Sequence, residues 1–324
     1  MTVIVTGANG FVGSHVVRLL AAQGHQVRAC VRSTSKMVDT SGAEVVEVGD
    51  LSSSTDWRHA LADVTTVIHA AAVTRVDKRL SGSMATLEEV NVGATLRLAS
   101  CAAAMGVKRL VFISSIKVNG ENSVRGRPFR AEDPPSPEDG YSRSKADAER
   151  GLMELAETST LEVVIVRPPL VYGPGVKGNF GGMVSLVRSG VPLPLASITD
   201  NRRSMIAVNN LASALSVCAT HTAAAGRIFL VKDGEDLSTV DMLAHIARAV
   251  GEPLRLFRFP ERLLYFGASL LRCQSLARRV VGDLQCDDQP IRTVLGWRPV
   301  VDIEQAFRDT CAPQKRPSLA PVRR

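Results

Sequence analysis

The sequence predicts an α/β protein, a Rossmann-type doubly wound parallel sheet followed by a smaller, less regular C-terminal domain. Two observations predict the sheet. Short apolar runs alternate with helical stretches over the first half of the chain, and a glycine-rich turn joins the first run directly to a helix. Such alternation is typical of parallel sheets with helices on both faces. The predicted strands are Val3–Val5, Val27–Val31, Glu44–Val48, Thr66–His69, Lys108–Ile113 and Leu161–Arg167.

The glycine-rich turn predicts a cofactor site. Gly7, Gly10 and Gly13 lie between the first strand and a helix predicted over Phe11–Gln23. Without Cβ atoms, the turn lets a dinucleotide pyrophosphate lie against backbone N–H groups and the positive end of the helix. The spacing Gly-x2-Gly-x2-Gly differs from the common Gly-x-Gly-x2-Gly. The cofactor contacts expected in this turn are Gly7, Asn9, Gly10, Phe11, Val12 and Gly13.

The end of the second strand predicts the type of dinucleotide. An acidic residue there binds the 2′-hydroxyl of NAD, whereas this chain has Arg32, which suits a 2′-phosphate. We therefore expect NADP, with NAD as the alternative, unless Arg32 only opens a surface loop. Asp50 and Leu51 are expected adenine contacts, although Asp50 could instead cap a helix starting near Thr55. Small residues that let a flat cofactor approach the fourth strand, or that fit a tight helix–sheet contact, are Ala70, Ala71 and Ala72.

A tyrosine and a lysine open a later predicted helix. Tyr141 and Lys145 lie one turn apart on one face of a helix that runs to about Glu157. An ammonium near a phenol favours the phenolate and lowers the tyrosine pKa toward neutrality. Ser114 and Ser115 stand at the carboxyl end of the fifth strand, where open α/β sheets bind ligands. Ser115, Tyr141 and Lys145 together predict proton transfer at a carbinol during hydride transfer.

Size, composition and spacing exclude several other classes. The chain has 324 residues, 45% hydrophobic and 22% charged, with no apolar run that could span a bilayer. The N-terminus enters a strand at once instead of a signal sequence, so we expect a cytoplasmic protein. Scattered cysteines and histidines predict neither a disulfide framework nor a metal site. Aromatic residues make up 4% and no reader motif appears, so we expect no nucleic-acid partner.

Much of the excess positive charge lies late in the chain. The net charge is +7. One arginine-rich stretch could bind phosphate, lie on a membrane surface as an amphipathic helix, or form an ordinary solvated face. Its arginines are Arg255, Arg258, Arg262, Arg272, Arg278 and Arg279.

The motifs taken together resemble the extended short-chain dehydrogenase/reductase family over nearly the whole chain. No nucleophile elbow of the Gly-x-Ser-x-Gly kind is present, which argues against an acyl-transfer hydrolase. The resemblance implies an N-terminal Rossmann domain, a C-terminal domain that binds nucleotide sugars, and a homodimer. The motifs are Thr6-Gly-x2-Gly-x2-Gly13, Asp50-Leu51, His69-Ala-Ala-Ala72, Asn91-Val-Gly93, Ser114-Ser115, Tyr141-x3-Lys145 and Arg167-Pro-Pro-Leu-Val-Tyr-Gly-Pro174.

The resemblance also implies roles for individual residues. Tyr141 is the expected acid/base, Lys145 lowers its pKa and holds the nicotinamide ribose, and Ser115 orients the sugar oxygen. Further residues expected on the cofactor side are Asn91, Ser114 and Pro168.

Domain boundaries follow from proline and glycine content. Residues 1–170 are predicted to bind NAD(P), and residues 171–311 to bind a nucleotide sugar. The stretch Met205 to Ala219 again reads as strand then helix, so 205–220 is expected to return to the first domain. Residues 312–324, rich in Pro, Lys and Arg, are expected to form a flexible basic tail.

Two later segments resemble those that grip the substrate diphosphate in nucleotide-sugar epimerases. They contribute Asn179 and Arg203, whose planar donors suit a phosphate. Arg279 is a weaker candidate for a second phosphate contact, and a surface position is equally expected for it. Lys117 completes the expected substrate contacts. Because Ile116 and Lys117 stand where dehydratases carry an Asp-Glu pair, 4,6-dehydration is not expected.

The resemblance narrows the function to chemistry at C4 of a UDP-sugar. With NADP favoured, the sequence predicts reduction of a UDP-4-keto-6-deoxy-N-acetylhexosamine for surface polysaccharide synthesis. The alternative is a UDP-hexose 4-epimerase, acting on UDP-glucose or UDP-GlcNAc with tightly held NAD. A third hypothesis, a non-catalytic NADP-binding regulator, is disfavoured by the intact Ser115, Tyr141 and Lys145. A lipophilic alcohol or steroid substrate is disfavoured by Asn179 and Arg203.

Overall fold

The computed structural model describes residues 1–34, 42–74, 83–176, 178–260, 262–263 and 274–312. Within them, seven strands form one sheet and two further strands pair with each other, in both cases in parallel. The strands are β1 (Thr2–Thr6), β2 (Gln26–Val31), β3 (Glu44–Glu47), β4 (Thr66–His69), β5 (Arg109–Ile113), β6 (Glu162–Arg167), β7 (Leu170–Tyr172), β8 (Met205–Ala207) and β9 (Ile228–Leu230).

The large sheet has the strand order β3-β2-β1-β4-β5-β6-β9. The order reverses between β1 and β4, and ligands of such sheets bind beyond the carboxyl ends of the strands at this point. The predicted doubly wound Rossmann-type sheet is therefore confirmed, and each predicted strand lies within about one residue of its observed bounds. β9 was not predicted, because a run of three residues gives too short a signal.

Helices cover both faces of the sheet. Alternation along β1 directs Val3 and Val5 to one face and Ile4 to the other, where they join two separate hydrophobic cores. α1 and α7 pack in the first core, and α4 and α5 in the second. The helices are α1 (Phe11–Ala22), α2 (Arg58–Leu61), α3 (Ser83–Leu87), α4 (Ala94–Ala104), α5 (Gly140–Glu157), α6 (Asn179–Arg188), α7 (Val208–Thr220), α8 (Thr239–Val250), α9 (Gln274–Val281), α10 (Gln289–Leu295) and α11 (Ile303–Cys311).

One predicted helix has a different shape. The sequence predicts a helix from about Leu87 to Met105, with Gly106 as its stop. In the structure, helix is already present from Ser83, and residues Glu88–Gly93 between α3 and α4 are π-helical. π-helical turns insert an extra residue and occur frequently at functional sites. Apolar periodicity does not distinguish them from α-helix.

The C-terminal part has its own core around Tyr172, Phe180 and Phe307. The stretch from Met205 forms a strand and a helix as predicted, but β8 pairs with β7 instead of joining the large sheet, while α7 packs against α1. The division into domains stays a prediction, and 313–324 of the expected tail lie outside the described residues. Among the described helices, none has the length and apolar character needed to cross a membrane.

A buried ion pair joins the end of β6 to α5. Arg167 is 2% and Glu149 4% exposed, and the guanidinium Nε lies 3.0 Å from Glu149 Oε1. Arg167 Nη1 also donates to Asn119 Oδ1 at 3.0 Å. The pair fixes α5, the helix that carries Tyr141 and Lys145, against the sheet.

Glu149→Leu is expected to destabilise the protein by about 3–5 kcal/mol, because it leaves the Arg167 guanidinium buried without its charge partner. The double variant Glu149→Leu with Arg167→Met should recover most of this loss, since apolar replacement of a whole buried pair is often nearly neutral. Urea unfolding monitored by circular dichroism measures both. Asp147→Leu removes an exposed pair with Arg150 on the same helix and should cost less than about 1 kcal/mol. If the single and double variants lose the same free energy of unfolding, the buried charge pair of Arg167 and Glu149 is not the cause of the loss.

Candidate active site

The glycine positions of the turn between β1 and α1 have no room for side chains. Gly7 has φ +65°, and a Cβ atom there would lie 2.8 Å from the amide nitrogen of Ala71. A Cβ at Gly13 would collide with the Gly7 carbonyl oxygen, to which Gly10 already donates its N–H at 2.8 Å. α1 begins at Phe11 with neither a side-chain cap nor an acidic residue in its first turn. Its positive end is therefore suited to an anion such as a pyrophosphate.

A buried histidine joins this turn to the end of β4. Thr95 donates its hydroxyl to Asn91 O at 2.8 Å, so it accepts from His69 Nε2 at 2.9 Å. This assigns the tautomer, and His69 Nδ1 then accepts from Thr6 Oγ1 at 2.6 Å. Burial, with the charge of Lys145, lowers the pKa of His69 to about 3. The neutral ring thereby holds the turn against the strand edge.

Asn91 lies in the π-helical turn and is 1% exposed. Its Nδ2 donates to Val73 O at 3.0 Å and to Ser144 Oγ at 2.9 Å, and its Oδ1 accepts from Val73 N at 2.8 Å. Ser144 in turn donates to Tyr141 O at 2.8 Å. Asn91 was expected on the cofactor side, and the structure shows its amide joining the exit of β4 to the first turn of α5.

Lys145 is buried beneath the end of β5. Its Nζ donates to Ile113 O at 2.8 Å and lies 4.3 Å from the centre of the Phe112 ring. Burial lowers the pKa of Lys145 to about 7, although the charge of Glu149 opposes this shift. A lysine that titrates near neutrality is able to exchange a proton at physiological pH.

Tyr141 lies in the first turn of α5. A capping box between Asp139 and Ser142 fixes the start of this helix. Burial, with a smaller contribution from Asp139, raises the pKa of Tyr141 to about 12. The sequence predicted a lowered pKa, and in the protein alone burial acts in the opposite direction. A positive charge brought by a bound ligand would act against this rise.

Two serines follow β5. Ser115 is extended and caps a short 3-10 helix (Ile116–Val118), with its Oγ accepting from Lys117 N at 3.3 Å. Its hydroxyl proton is not used in that contact. Ser114 is 3% exposed, and its Oγ has no hydrogen-bond partner among the described residues. A buried hydroxyl without a partner is costly unless a ligand meets it, so Ser114 fits a site that binds a polar group.

Lys117 forms two ion pairs instead of standing free for a substrate. Its Nζ lies 2.5 Å from Glu121 Oε1 and 2.8 Å from Asp139 Oδ2. Burial alone would raise the pKa of Asp139, but hydrogen bonds from Lys117 and Ser142 lower it to about 2. Lys117 therefore joins the 3-10 helix after β5 to the start of α5.

Two arginines from separate segments lie near each other beside this network. Arg203 Nη1 donates to Gly282 O at 2.9 Å, and Arg279 Nη2 lies 3.8 Å from Glu121 Oε1. Burial and the charge of Arg279 lower the pKa of Arg203 to about 10. Clustered guanidinium groups suit a phosphate. Asn179 is the first residue of α6, and its side chain lies outside the described part.

The residues predicted to set the dinucleotide type lie at the surface. Arg32 Nη1 is 3.4 Å from Asp50 Oδ1, and their side chains are 73% and 87% exposed. Asp50 does not cap a helix near Thr55, because α2 begins at Arg58. Leu51 packs at the margin of the second core.

The strand-end alanines and Pro168 surround the same edge of the sheet. Ala71 N donates to Thr6 Oγ1 at 3.3 Å, and Ala70 packs against the first core. Pro168 accepts from Ile116 N at 3.0 Å and so holds the segment after Ser115.

Several residues of the site were not found in the sequence. Thr95 and Ser144 have no motif of their own, and only the tertiary contacts identify them. Asp139 and Ser142 form a helix-start pattern three residues apart, which could have been recognised. Glu121 gives no signal, since single acidic residues are common on surfaces.

The chain resembles known proteins over most of its length. Residues 3–231 match the NAD dependent epimerase/dehydratase family. The chain belongs to this family. It is therefore an enzyme of the short-chain dehydrogenase/reductase superfamily, as the motifs predicted.

Similar proteins include epimerases. The chain is 40% identical over 311 residues to UDP-glucose 4-epimerase from Vibrio cholerae, covering 95% of this chain and 94% of that protein. UDP-glucose 4-epimerase from Thermus thermophilus, solved with NAD, has TM-score 0.73 and 25% identity, covering 96% and 98% of the two chains. UDP-glucuronic acid 4-epimerase from Bacillus cereus, solved with NAD, has TM-score 0.76 at 17% identity, covering 96% and 97%, and shares the fold.

Lys145→Met is expected to stabilise the dinucleotide-free protein below pH 7 and to lose this advantage as pH rises. Because burial lowers the pKa of Lys145 to about 7, the folded wild type binds fewer protons than the unfolded chain from there to about pH 10.4. Its free energy of unfolding therefore rises with pH in this window, whereas the variant lacks this slope.

Urea unfolding below pH 7 and near pH 10 measures the effect. Lys108→Met changes an exposed lysine and should show no such difference. A gain for Lys145→Met that stays constant with pH would refute the lowered pKa.

Proposed function

We propose that this enzyme is a UDP-hexose 4-epimerase that keeps NAD bound throughout turnover. The proposal is supported by 40% identity to a UDP-glucose 4-epimerase, together with the positions of three residues. Ser115 follows β5, Lys145 donates to Ile113 O at the end of that strand, and Tyr141 lies one turn before Lys145 on α5. The half-buried Arg203, close to Arg279, supports a diphosphate-bearing substrate.

The residues present fit a dinucleotide. The turn of Gly7, Gly10 and Gly13 with the uncapped start of α1 would hold the pyrophosphate, and the buried Ser114 hydroxyl offers an unused polar group. Lys145 would bind the nicotinamide ribose. When bound, NAD supplies a hydride acceptor that later returns the hydride to C4.

The chain supplies the proton chemistry. Tyr141 takes the proton of the C4 hydroxyl as a phenolate and returns it at the end of the cycle. The ammonium of Lys145, one turn further along α5, stabilises that phenolate. Ser115 donates its free hydroxyl proton to the sugar oxygen, which alternates between alcohol and ketone.

Arg203 and Arg279 fix the other end of the substrate. Inversion at C4 requires that the hydride return to the opposite face of the sugar, so the ring must turn while the nucleotide stays bound. A pair of guanidinium groups on the diphosphate would retain the nucleotide during that turn. Glu121 and Lys117 hold Arg279 and the Ser115 segment in the same ion-pair network.

The ketoreductase predicted from the sequence differs from the epimerase in its redox balance. A reductase consumes one NADPH for each sugar reduced, whereas an epimerase returns its cofactor to the starting state. The 4-epimerases among the similar proteins favour the second activity. Surface polysaccharide synthesis, a cytoplasmic location and a homodimer stay predictions.

Purified enzyme is expected to interconvert UDP-glucose and UDP-galactose, or their N-acetylated counterparts, without net formation or consumption of NADH, as followed by absorbance. Chromatography of the nucleotide sugars measures the conversion. Tyr141→Phe should lower the rate by about two to four orders of magnitude while the dinucleotide still binds. Tyr172→Phe removes a hydroxyl that donates to Asp233 in the C-terminal core and should keep its turnover. Stoichiometric oxidation of NADPH by a UDP-4-keto sugar, without epimerisation, would replace the proposal by the ketoreductase.

The dinucleotide released by denaturing the enzyme is expected to be NAD. Arg32 has a carboxylate, Asp50, beside it, and this negative charge opposes a 2′-phosphate. Asp50→Asn should therefore strengthen NADP binding relative to NAD binding. Arg32→Gln should weaken NADP binding relative to NAD binding. Mass spectrometry identifies the released dinucleotide, and titration gives the affinity ratio. Release of NADP by the wild-type enzyme would instead support the preference for NADP that Arg32 predicts from the sequence.

A further inference from the structure

An exposed surface in the C-terminal part combines apolar and arginine side chains. Val191 is 54%, Phe257 45% and Leu263 51% exposed. Large apolar side chains at neighbouring surface positions are uncommon on proteins that act without a partner. We use the name arginine–apolar face for the exposed residues of these segments, Val191, Arg255, Phe257, Arg258, Arg262 and Leu263.

Backbone pairing brings two segments of this face together. Leu193 N donates to Arg255 O at 2.9 Å, and Phe257 N donates to Leu193 O at 3.0 Å. Leu193 and Leu256 turn inward to the C-terminal core. Because side chains alternate along an extended segment, Arg255 and Phe257 turn outward.

The chain continues the face beyond Phe257. The Phe257 and Phe259 rings meet edge to face with centroids 6.4 Å apart. Leu263 N donates to Pro260 O at 3.0 Å, and the Leu263 side chain is exposed.

The arginines of this face have no ion-pair partner in the described part of the chain. Arg255, Arg258 and Arg262 are exposed, and no described carboxylate lies within salt-bridge distance of them. The sequence from 253 to 281 holds six arginines and a single acidic residue, Glu261. This stretch of the sequence therefore carries an excess of positive charge.

We propose that the arginine–apolar face docks the enzyme on an anionic lipid bilayer. Phenylalanine, leucine and valine side chains enter the boundary between headgroups and acyl chains, while arginines bind lipid phosphates. A second copy of this chain fits the face poorly, because a twofold contact would place arginines against arginines. Apolar side chains beside arginines that have no ion-pair partner among the described residues match an anionic membrane surface.

Vesicle cosedimentation of the full-length enzyme tests the proposal. We expect binding to vesicles of phosphatidylcholine mixed with phosphatidylglycerol, weakened by salt, and little binding to phosphatidylcholine alone. Each arginine near an anionic surface contributes about fivefold to the partition coefficient. The triple variant Arg255→Gln, Arg258→Gln and Arg262→Gln should therefore bind about 100-fold more weakly.

Matched variants separate this face from net charge. Arg18→Gln, Arg127→Gln and Arg298→Gln together remove the same charge from exposed positions elsewhere and should bind vesicles nearly as the wild type does. Phe257→Ser with Leu263→Ser should reduce binding while leaving the net charge unchanged. Thermal unfolding and epimerase turnover in solution should be unchanged in all three, since none of these residues lies in the candidate active site.

Three outcomes would overturn the proposal: equal binding to neutral and mixed vesicles, equal loss in both triple variants, or no binding by the wild type. Light scattering after gel filtration adds a fourth. If Phe257→Ser with Leu263→Ser changes the oligomeric mass while vesicle binding is absent, the face joins copies of the chain. Loss of epimerase activity in Tyr141→Phe leaves vesicle binding intact, so failure of the proposed function and failure of this proposal are distinguishable.

Discussion

One buried ammonium, that of Lys145, sets the conditions for the rest of the site. Taking a charge out of water costs several kcal/mol unless other groups meet it, and here the Ile113 carbonyl and the Phe112 ring do so. That arrangement requires α5 to lie at a fixed height above the end of β5. The Glu149 and Arg167 pair fixes the far side of this helix, and Asn91 fixes its first turn through Ser144. These contacts hold Lys145 one helical turn from Tyr141 on α5, which the proposed proton chemistry requires.

The electrostatic arrangement is asymmetric. Neutral, directional hydrogen bonds join Thr6, His69 and Thr95 beside the glycine-rich turn, whereas Lys117 and Arg279 form ion pairs with Glu121. A neutral network fixes geometry without attracting ions. In the proposed reaction, the charged groups would hold the diphosphate, apart from the network that fixes the cofactor turn.

The sequence predicted what local pattern determines. Strand positions, the glycine turn, and the Tyr141 and Lys145 spacing depend on neighbours in the chain, and the fold was predicted correctly from them. The π-helical turn at Asn91, the ion pairs of Lys117 and the raised pKa of Tyr141 depend on groups brought together by folding. Asn91 meets Ser144 across 53 residues, and no periodicity encodes such a contact. β9 was missed because three residues carry too little pattern.

Two elements late in the chain complete the N-terminal half. β9 extends the sheet beside β6, and α7 covers α1, with Ser216 donating to Gln23 across 193 residues. During synthesis, the apolar face of α1 therefore stays uncovered until α7 has been made, and the edge of β6 stays unpaired until β9 has been made. Open sheet edges and uncovered apolar faces promote aggregation. The order of these elements along the chain thus leaves the N-terminal half incomplete until about two thirds of the protein has been synthesised.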